Sequence, residues 1–473
     1  MTDFAKFITV HEDDDTDRLI LSRDKWEGID IPLAVNTILG RRKMRHKVPQ
    51  WFSCNEIIYP SKLCVEQCSS EVTARLKMEM ILQYAGASHS GGDGIRIADL
   101  TGGLGVDSFF FATVSEKVLY NEADPMLAEA AAHNFEALGL RNIETCNFLV
   151  GEDGRDGGNG RLRGAGNEGG TAADCGASSS ATVGEILGDF GPDVIYLDPA
   201  RRSENRKVFL IEECKPDILA LKESLLKAAR FVAVKLSPMA DITMVLNRLG
   251  RCCREISAIS ADGECKEIIV LMDREYEGEC IISARTQGAV FQFLKREEEE
   301  AEATFVKNII ISDCGESGQE DSGTELSEGK ILLEPDKALM KTAPFKLLCS
   351  RFGIAKLGVS THYYLAPLAG QLLLSREDSK EDYQLPVRKV ASDGALFRSF
   401  RILKVLPFDK RGIKAVRQEY PDASVTARNF PLDSAALRKK LAVGESDLIH
   451  IFGLKVLERN YLIVTEKIPF TSF

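Results

Sequence analysis

No stretch of the 473 residues approaches the roughly 18 consecutive apolar side chains that a bilayer-spanning helix requires, so no membrane partner is expected. No apolar leader stands at the start. With that absence the 12 cysteines, scattered along a long chain, are expected to be reduced thiols of a cytoplasmic protein rather than disulfides. They also lack zinc-site spacing: Cys64 and Cys68 lie one helical turn apart and Cys252 and Cys253 are adjacent, but neither pair has a His or Cys partner at the right distance. No metal is expected. Positive charge is short overall, and the net charge of -11 excludes wholesale coating of nucleic acid.

The most informative stretch is residues 95–125, IRIADLTGGLGVDSFFFATVSEKVLYNEADP, which reads as a buried strand, a glycine turn, a short helix and a second buried strand. The first strand ends at Asp99. Gly103 and Gly105 stand in the turn, where missing side chains let the backbone bend sharply and approach a ligand. Val106 to Ala112 begins a helix whose N-terminal amides point at that ligand. The second strand, Val118 to Tyr120, leads to Glu122, and an acid about twenty positions beyond such a turn binds the two hydroxyls of a ribose. The stretch predicts a nucleoside-cofactor site. A dinucleotide fingerprint needs a third glycine, and that position is Ser108. Asp99 ahead of the glycines repels a pyrophosphate and suits a cationic or amino-acid-bearing ligand.

Around this stretch, Ser69 is a good N-cap for a helix from about Ser70 to Tyr84, and Asp124-Pro125 cap a helix that closes at Gly139. Ile143 to Thr145 forms a brief third strand, followed by Asn147. Residues 151–184, rich in Gly, Ser, Ala and Asn, cannot bury enough apolar surface to order themselves and read as an insertion. The strand Asp193 to Leu197 then delivers Asp198, Pro199, Ala200, Arg201 and Arg202 to the carboxyl edge of the sheet, where open α/β folds bind substrates. Phe231 to Leu236 forms another strand, and Lys235 can reach the same mouth. Ile256 to Ser260 and Ile268 to Met272, joined by a turn-like segment, predict a closing antiparallel hairpin.

The ends of the chain carry local charge. Residues 386–441 hold 13 Lys or Arg against 5 Asp or Glu, a balance of +8 in an acidic chain. Strand-like runs from Leu396, with one helix on each side of the second run, predict a small α+β domain with a basic face. Near the start, Arg41, Arg42, Lys43, Arg45, His46 and Lys47 form a basic run that reads equally as a solvated helix face or an RNA contact. Glu297 to Glu300 read as a solvated helix face, and residues 313–329 as a flexible loop.

Together EQCSSEVTARLK, DLTGGLGVD, NEADP and LDPARR resemble the bacterial class I S-adenosylmethionine-dependent methyltransferases that carry a THUMP-like C-terminal domain, and more distantly the trimethylguanosine synthases. The resemblance covers roughly residues 60–275 and 396–473. It implies an α/β fold with a Rossmann-like seven-stranded sheet. A helical region (1–72), a methyltransferase domain (73–275), a small α+β, ferredoxin-like middle region (276–385) and a THUMP-like RNA-binding domain (396–473) follow from it. It places Asp99, Gly103 and Gly105 around the methionine part of S-adenosylmethionine, Glu122 on the ribose, Asn147 near the adenine and Asp198-Pro199 beside the reacting atom, with Thr101 also a cofactor contact. Arg201, Arg202 and Lys235 are then substrate contacts, and the implied activity is methylation of a base nitrogen in structured RNA. Many amino-methyltransferases stack the target base on an aromatic residue after this motif, and here Ala200 and Arg201 stand instead. A cysteine for attack on a pyrimidine is absent too, since Leu236 occupies its place. The alternatives are a small-molecule or protein methyltransferase and a non-catalytic RNA-binding protein.

Overall fold

The computed structural model describes residues 2–88, 94–151, 179–201, 211, 214–312, 324–366, 371–376, 379–386 and 396–468. The chain divides into two compact units, Met1–Ile259 with Lys266–Cys280, and Ser260–Cys265 with Ile281–Phe473.

The first unit is built on strands β1 (Arg96–Asp99), β2 (Lys117–Asn121), β3 (Ile143–Cys146), β4 (Val194–Leu197), β5 (Phe231–Leu236), β6 (Cys253–Ala261) and β7 (Glu264–Asp273). These seven run in the order β3-β2-β1-β4-β5-β7-β6 within the central sheet. Strands β1 to β5 are parallel, and β7 returns antiparallel to β5. Alternate side chains serve opposite faces. Ala98, Ile195 and Val232 enter the core under helices α5 (Ile218–Ala228) and α6 (Ile242–Leu249), while Ile97, Tyr196 and Ala233 pack with Met80, Ile81 and Tyr84 of helix α2 (Glu71–Ser88). The closing hairpin turns through Asp262 and Gly263, both at positive φ, as a two-residue hairpin turn requires.

Helix α3 (Val106–Ala112) follows the glycine turn, and α4 (Pro125–Ala137) starts on the Asp124 cap, whose carboxylate accepts from Met126 and Leu127. The N-terminal helices pack on these two. Met44, Val48, Trp51 and Tyr59 share one core with Val106, Phe110, Ala131 and Phe135, so the expected separation at residue 72 is not a division of the structure. The basic run on helix α1 (Ile31–Lys47) serves as internal staples: Arg41 donates to Cys54 and Phe52 carbonyls, Arg42 to Glu12 and Asp14 carbonyls, and Lys47 to Val65 and Glu66 carbonyls. Two adjacent serines also exchange roles. Ser70, not Ser69, caps α2 by accepting from the Thr73 amide. Of the expected insertion, residues 152–178 lie outside the described residues, but its end is ordered: Ser180–Ala181 pairs with Leu149–Val150, and Thr182 caps Val183–Leu187.

The second unit opens with the hairpin β8 (Ile281–Arg285) and β9 (Val290–Leu294). Its sheet uses β10 (Ile331–Pro335), β11 (Ala355–Gly358), β12 (Thr361–Ala366), β13 (Phe397–Pro407), β14 (Ser424–Arg428), β15 (Ile449–Val456) and β16 (Arg459–Lys467), in the order β11-β12-β10-β13-β16-β15-β14. Because β10 pairs antiparallel with β13, strands from the expected middle region and from the expected C-terminal domain form one sheet. Helices α7 (Lys337–Thr342) and α8 (Leu347–Phe352) follow β10, and helices α9 (Lys410–Glu419) and α10 (Ser434–Leu441) flank β14 as the sequence predicts. The acid run is only partly solvated: Glu298 accepts from the Lys346 and Leu347 amides at the start of α8, and Glu297 pairs with Arg351. Of the expected loop 313–329, residues 324–329 include Glu325–Leu326, which pairs with Asn308–Ile309, and 313–323 lie outside the described residues.

Candidate functional site

Three glycines shape the turn after β1, each for a different reason. Gly105 has φ 90°, and a Cβ there would sit 2.6 Å from Phe135 Cζ. Gly102, which the sequence pattern does not single out, would place a Cβ 2.1 Å from the Tyr120 ring. Gly103 has φ 55° and nothing within 4 Å of a would-be Cβ, so the space beside its Cα is open, while its amide donates to Glu122 and its carbonyl accepts from the Tyr120 hydroxyl.

Asp99 holds this turn from below. Its carboxylate accepts from the Thr101 amide (3.1 Å) and the Ser108 hydroxyl (2.6 Å) and is 0% exposed. Burial pushes its pKa up to about 8, against the lowering effect of the Ser108 bond. A carboxyl closed off under the turn orients the backbone that carries Thr101 and Gly103. Glu122 is half-buried and accepts from the Gly103 and Asp124 amides, both at 2.8 Å. Asn147 donates to the Glu122 carbonyl at 2.5 Å and the Ala123 carbonyl at 3.2 Å, so it anchors the backbone that carries Glu122.

On the other side of the carboxyl edge, the Asp198 amide donates to Thr101 Oγ1 at 2.5 Å. Asp198 Oδ2 lies 2.6 Å from Lys235 Nζ. These two residues and Pro199 line a cavity of about 230 Å³ with Cys214, Pro238 and Lys266. Lys235 thus stands beside Asp198 in the lining of this cavity. Ala200–Arg201 pairs with Cys214–Lys215 through the backbone; the Arg201 side chain and Arg202 lie outside what the structure describes.

Behind the cavity stands a buried charge cluster that no spacing along the sequence signals. Lys77, 0% exposed, lies 2.9 Å from Asp107 and 3.2 Å from Glu267, and Glu267 lies 3.9 Å from Lys235. Ser69 and Tyr196 donate hydroxyl bonds to Asp107 at 2.8 and 3.0 Å, and Lys77 donates to Ser69 at 2.6 Å. Burial raises both carboxyls; at Asp107 the Lys77 and Lys235 ammoniums outweigh it and the pKa falls, whereas at Glu267 burial wins and the pKa rises. For Lys235, burial is outweighed by Asp198, Glu267 and Asp107, which hold the ammonium above the ordinary lysine range. Among the described residues no group of three or more His, Cys, Asp or Glu could hold a metal, and no helix is long and apolar enough to cross a membrane.

A crystal structure of a candidate methyltransferase from Porphyromonas gingivalis W83 covers 98% of this chain and 98% of its own, at 24% identity and a TM-score of 0.69. The chain has the class I methyltransferase fold with a THUMP-like domain. The family model for a THUMP domain-like region matches residues 397–467, and one for a ferredoxin-like domain matches residues 332–368. Two curated proteins of Mycobacterium tuberculosis, from strains CDC 1551 / Oshkosh and ATCC 25618 / H37Rv, are each 25% identical over 253 residues, which is 52% of this chain and 56% of each relative. Both are described as uncharacterized S-adenosylmethionine-dependent methyltransferases. The chain thus matches little more than half the length of these relatives. In the methyltransferase fold the glycine turn and the Asp198 loop stand at the carboxyl ends of adjacent strands β1 and β4, which is where a crevice for ligands opens.

Proposed function

We propose that this chain is an S-adenosylmethionine-dependent methyltransferase that acts on a base nitrogen of structured RNA. The observation that carries the reading is the hydrogen bond from the Asp198 amide to Thr101 Oγ1, which puts the open glycine turn and the acceptor cavity side by side. The residues fit the cofactor: Gly103 leaves open space beside its Cα, and Glu122 offers a half-buried carboxylate for ribose hydroxyls. Thr101 and Gly105 set the path of the turn, and Asn147 secures the adenine side.

When bound, the cofactor supplies an electrophilic methyl group. The chain's own residues then provide position, and in-line displacement gains most from holding the acceptor at near-contact distance. The Asp198 carboxylate and the Pro199 carbonyl align an exocyclic amine, Lys235 fixes Asp198, and Arg201 and Arg202 grip phosphates. The RNA is held by the THUMP-like region, where Lys410, Arg411, Lys414, Lys439 and Lys440 are exposed. A small-molecule or protein acceptor is the second reading; it is favoured by a lining of the cavity without an aromatic side chain among the described residues. Nucleoside mass spectrometry of total RNA from cells with and without the gene separates the two: loss of one methylated nucleoside supports RNA, and an unchanged profile refutes it.

A further inference from the structure

We infer that Lys77, Asp107 and Glu267 are positioning residues, which together with Lys235 form a buried ion ladder that sets the Asp198 carboxylate at the mouth of the acceptor cavity. The inference rests on the methyltransferase reading and says how its acceptor side is built.

The ladder joins four elements. Lys77 comes from α2, Asp107 from the first turn of α3 behind the glycine turn, Glu267 from β7 and Lys235 from β5. The charges alternate from Asp107 through Lys77, Glu267 and Lys235 to Asp198. Exposure rises from Lys77 toward the cavity: the side chain of Lys77 is 0% exposed, that of Glu267 4%, that of Lys235 15% and that of Asp198 36%, with Asp107 at 9% on the far side. Such burial is a poor source of stability, because desolvation of ions commonly costs as much as their attraction returns, and well-packed apolar residues serve a core as well or better. A reason outside the core is needed, and the open end of the ladder supplies one.

Of the three carboxylates, Asp198 is the one that lines the cavity, paired to Lys235 on its inner side and open on the other. That arrangement selects among acceptors. A neutral amine becomes positively charged as its lone pair forms the new nitrogen–carbon bond, while the carbon–sulfur pair stays on sulfur; a carboxylate at hand stabilises that charge and then takes the N–H proton. An acceptor that must first become an anion is disfavoured at the same place. The ladder therefore assigns the site to a neutral amino group.

The test uses the full-length protein with total RNA from cells lacking the gene as the probe. For Glu267→Gln, kcat is expected to fall about 10–100-fold. S-adenosylhomocysteine affinity stays within about twofold, since Glu267 stands on β7 and not on the glycine turn. KM for RNA stays within about twofold, and Glu267→Asp recovers part of the rate. An unchanged kcat in Glu267→Gln overturns the inference, as does a methyl group found on an atom that reacts as an anion. The ¹⁵N NMR signal of the Lys235 ammonium at neutral pH gives a readout that needs no substrate: its position must change in Glu267→Gln, and an unchanged signal overturns the ladder even where RNA methylation is established. A wild-type protein that methylates no RNA while this signal behaves as stated overturns the RNA reading and leaves the ladder standing.

Discussion

Asp198 and Thr101 meet through a 2.5 Å hydrogen bond in which the Asp198 amide donates to the threonine hydroxyl oxygen. One residue belongs to the turn after β1 and the other follows β4, so the two halves of the site cannot move apart without leaving that amide unpaired. Thr101→Val, which keeps the shape and removes the acceptor, is expected to cost about 1 kcal/mol in urea unfolding, the net worth of one part-buried hydrogen bond. Thr101→Ser is expected to retain most of the stability, and equal losses in both variants would count against the bond.

The buried Asp99 makes stability depend on pH in an unusual direction. Its folded carboxyl keeps the proton to about pH 8, whereas the ordinary aspartate value is 3.8. The folded state then binds more protons than the unfolded one between those values, so this contribution is present at low pH and is lost as pH rises. The decline is about 1.4 kcal/mol per pH unit for one such group. Asp99→Asn should flatten the slope between about pH 5 and about pH 8 in denaturant titrations; a slope identical to wild type would show that another group carries it.

Gly103 and Gly105 are expected to respond differently to alanine. Both have positive φ, but only at Gly105 does a Cβ meet a ring, 2.6 Å from Phe135 Cζ. Gly105→Ala should destabilise by more than about 1 kcal/mol beyond Gly103→Ala. Gly103→Ala should instead weaken S-adenosylhomocysteine binding, measured by calorimetry. Reversal of that order would place the ligand elsewhere.

On the THUMP-like region, Lys410, Arg411 and Lys414 are exposed on α9. Their joint replacement by Glu is expected to weaken RNA binding at low salt and to reduce the slope of log K against log salt by about one for each phosphate that is no longer neutralised. Cofactor affinity should not change. RNA affinity independent of these charges would move the partner surface elsewhere.

Much of the first unit was legible because its signals are local. The Asp124 cap and Pro125 mark the start of α4, Gly139 at φ 77° marks its end, and the apolar runs mark strands β1 to β5 to within a residue or two. Local rules fail where two candidates are equivalent. Ser69 and Ser70 are both competent caps, and only packing shows that Ser70 caps while Ser69 bonds Asp107. The basic run of α1 likewise looks the same whether its partners are phosphates or the carbonyls of Cys54, Glu12 and Val65.

By itself the sequence determined the succession of strands β1 to β7, the glycine turn and the Asp198-Pro199 loop, because periodicity, caps and turn residues act between near neighbours. Only the tertiary structure decided that Asp99 is closed beneath the turn and that Lys77 meets Asp107 and Glu267, partners 30 and 190 positions away. A charge in an apolar segment carries no mark of its partner, and attraction between ions is decided by distance and solvent in the folded chain, which no spacing along the sequence records.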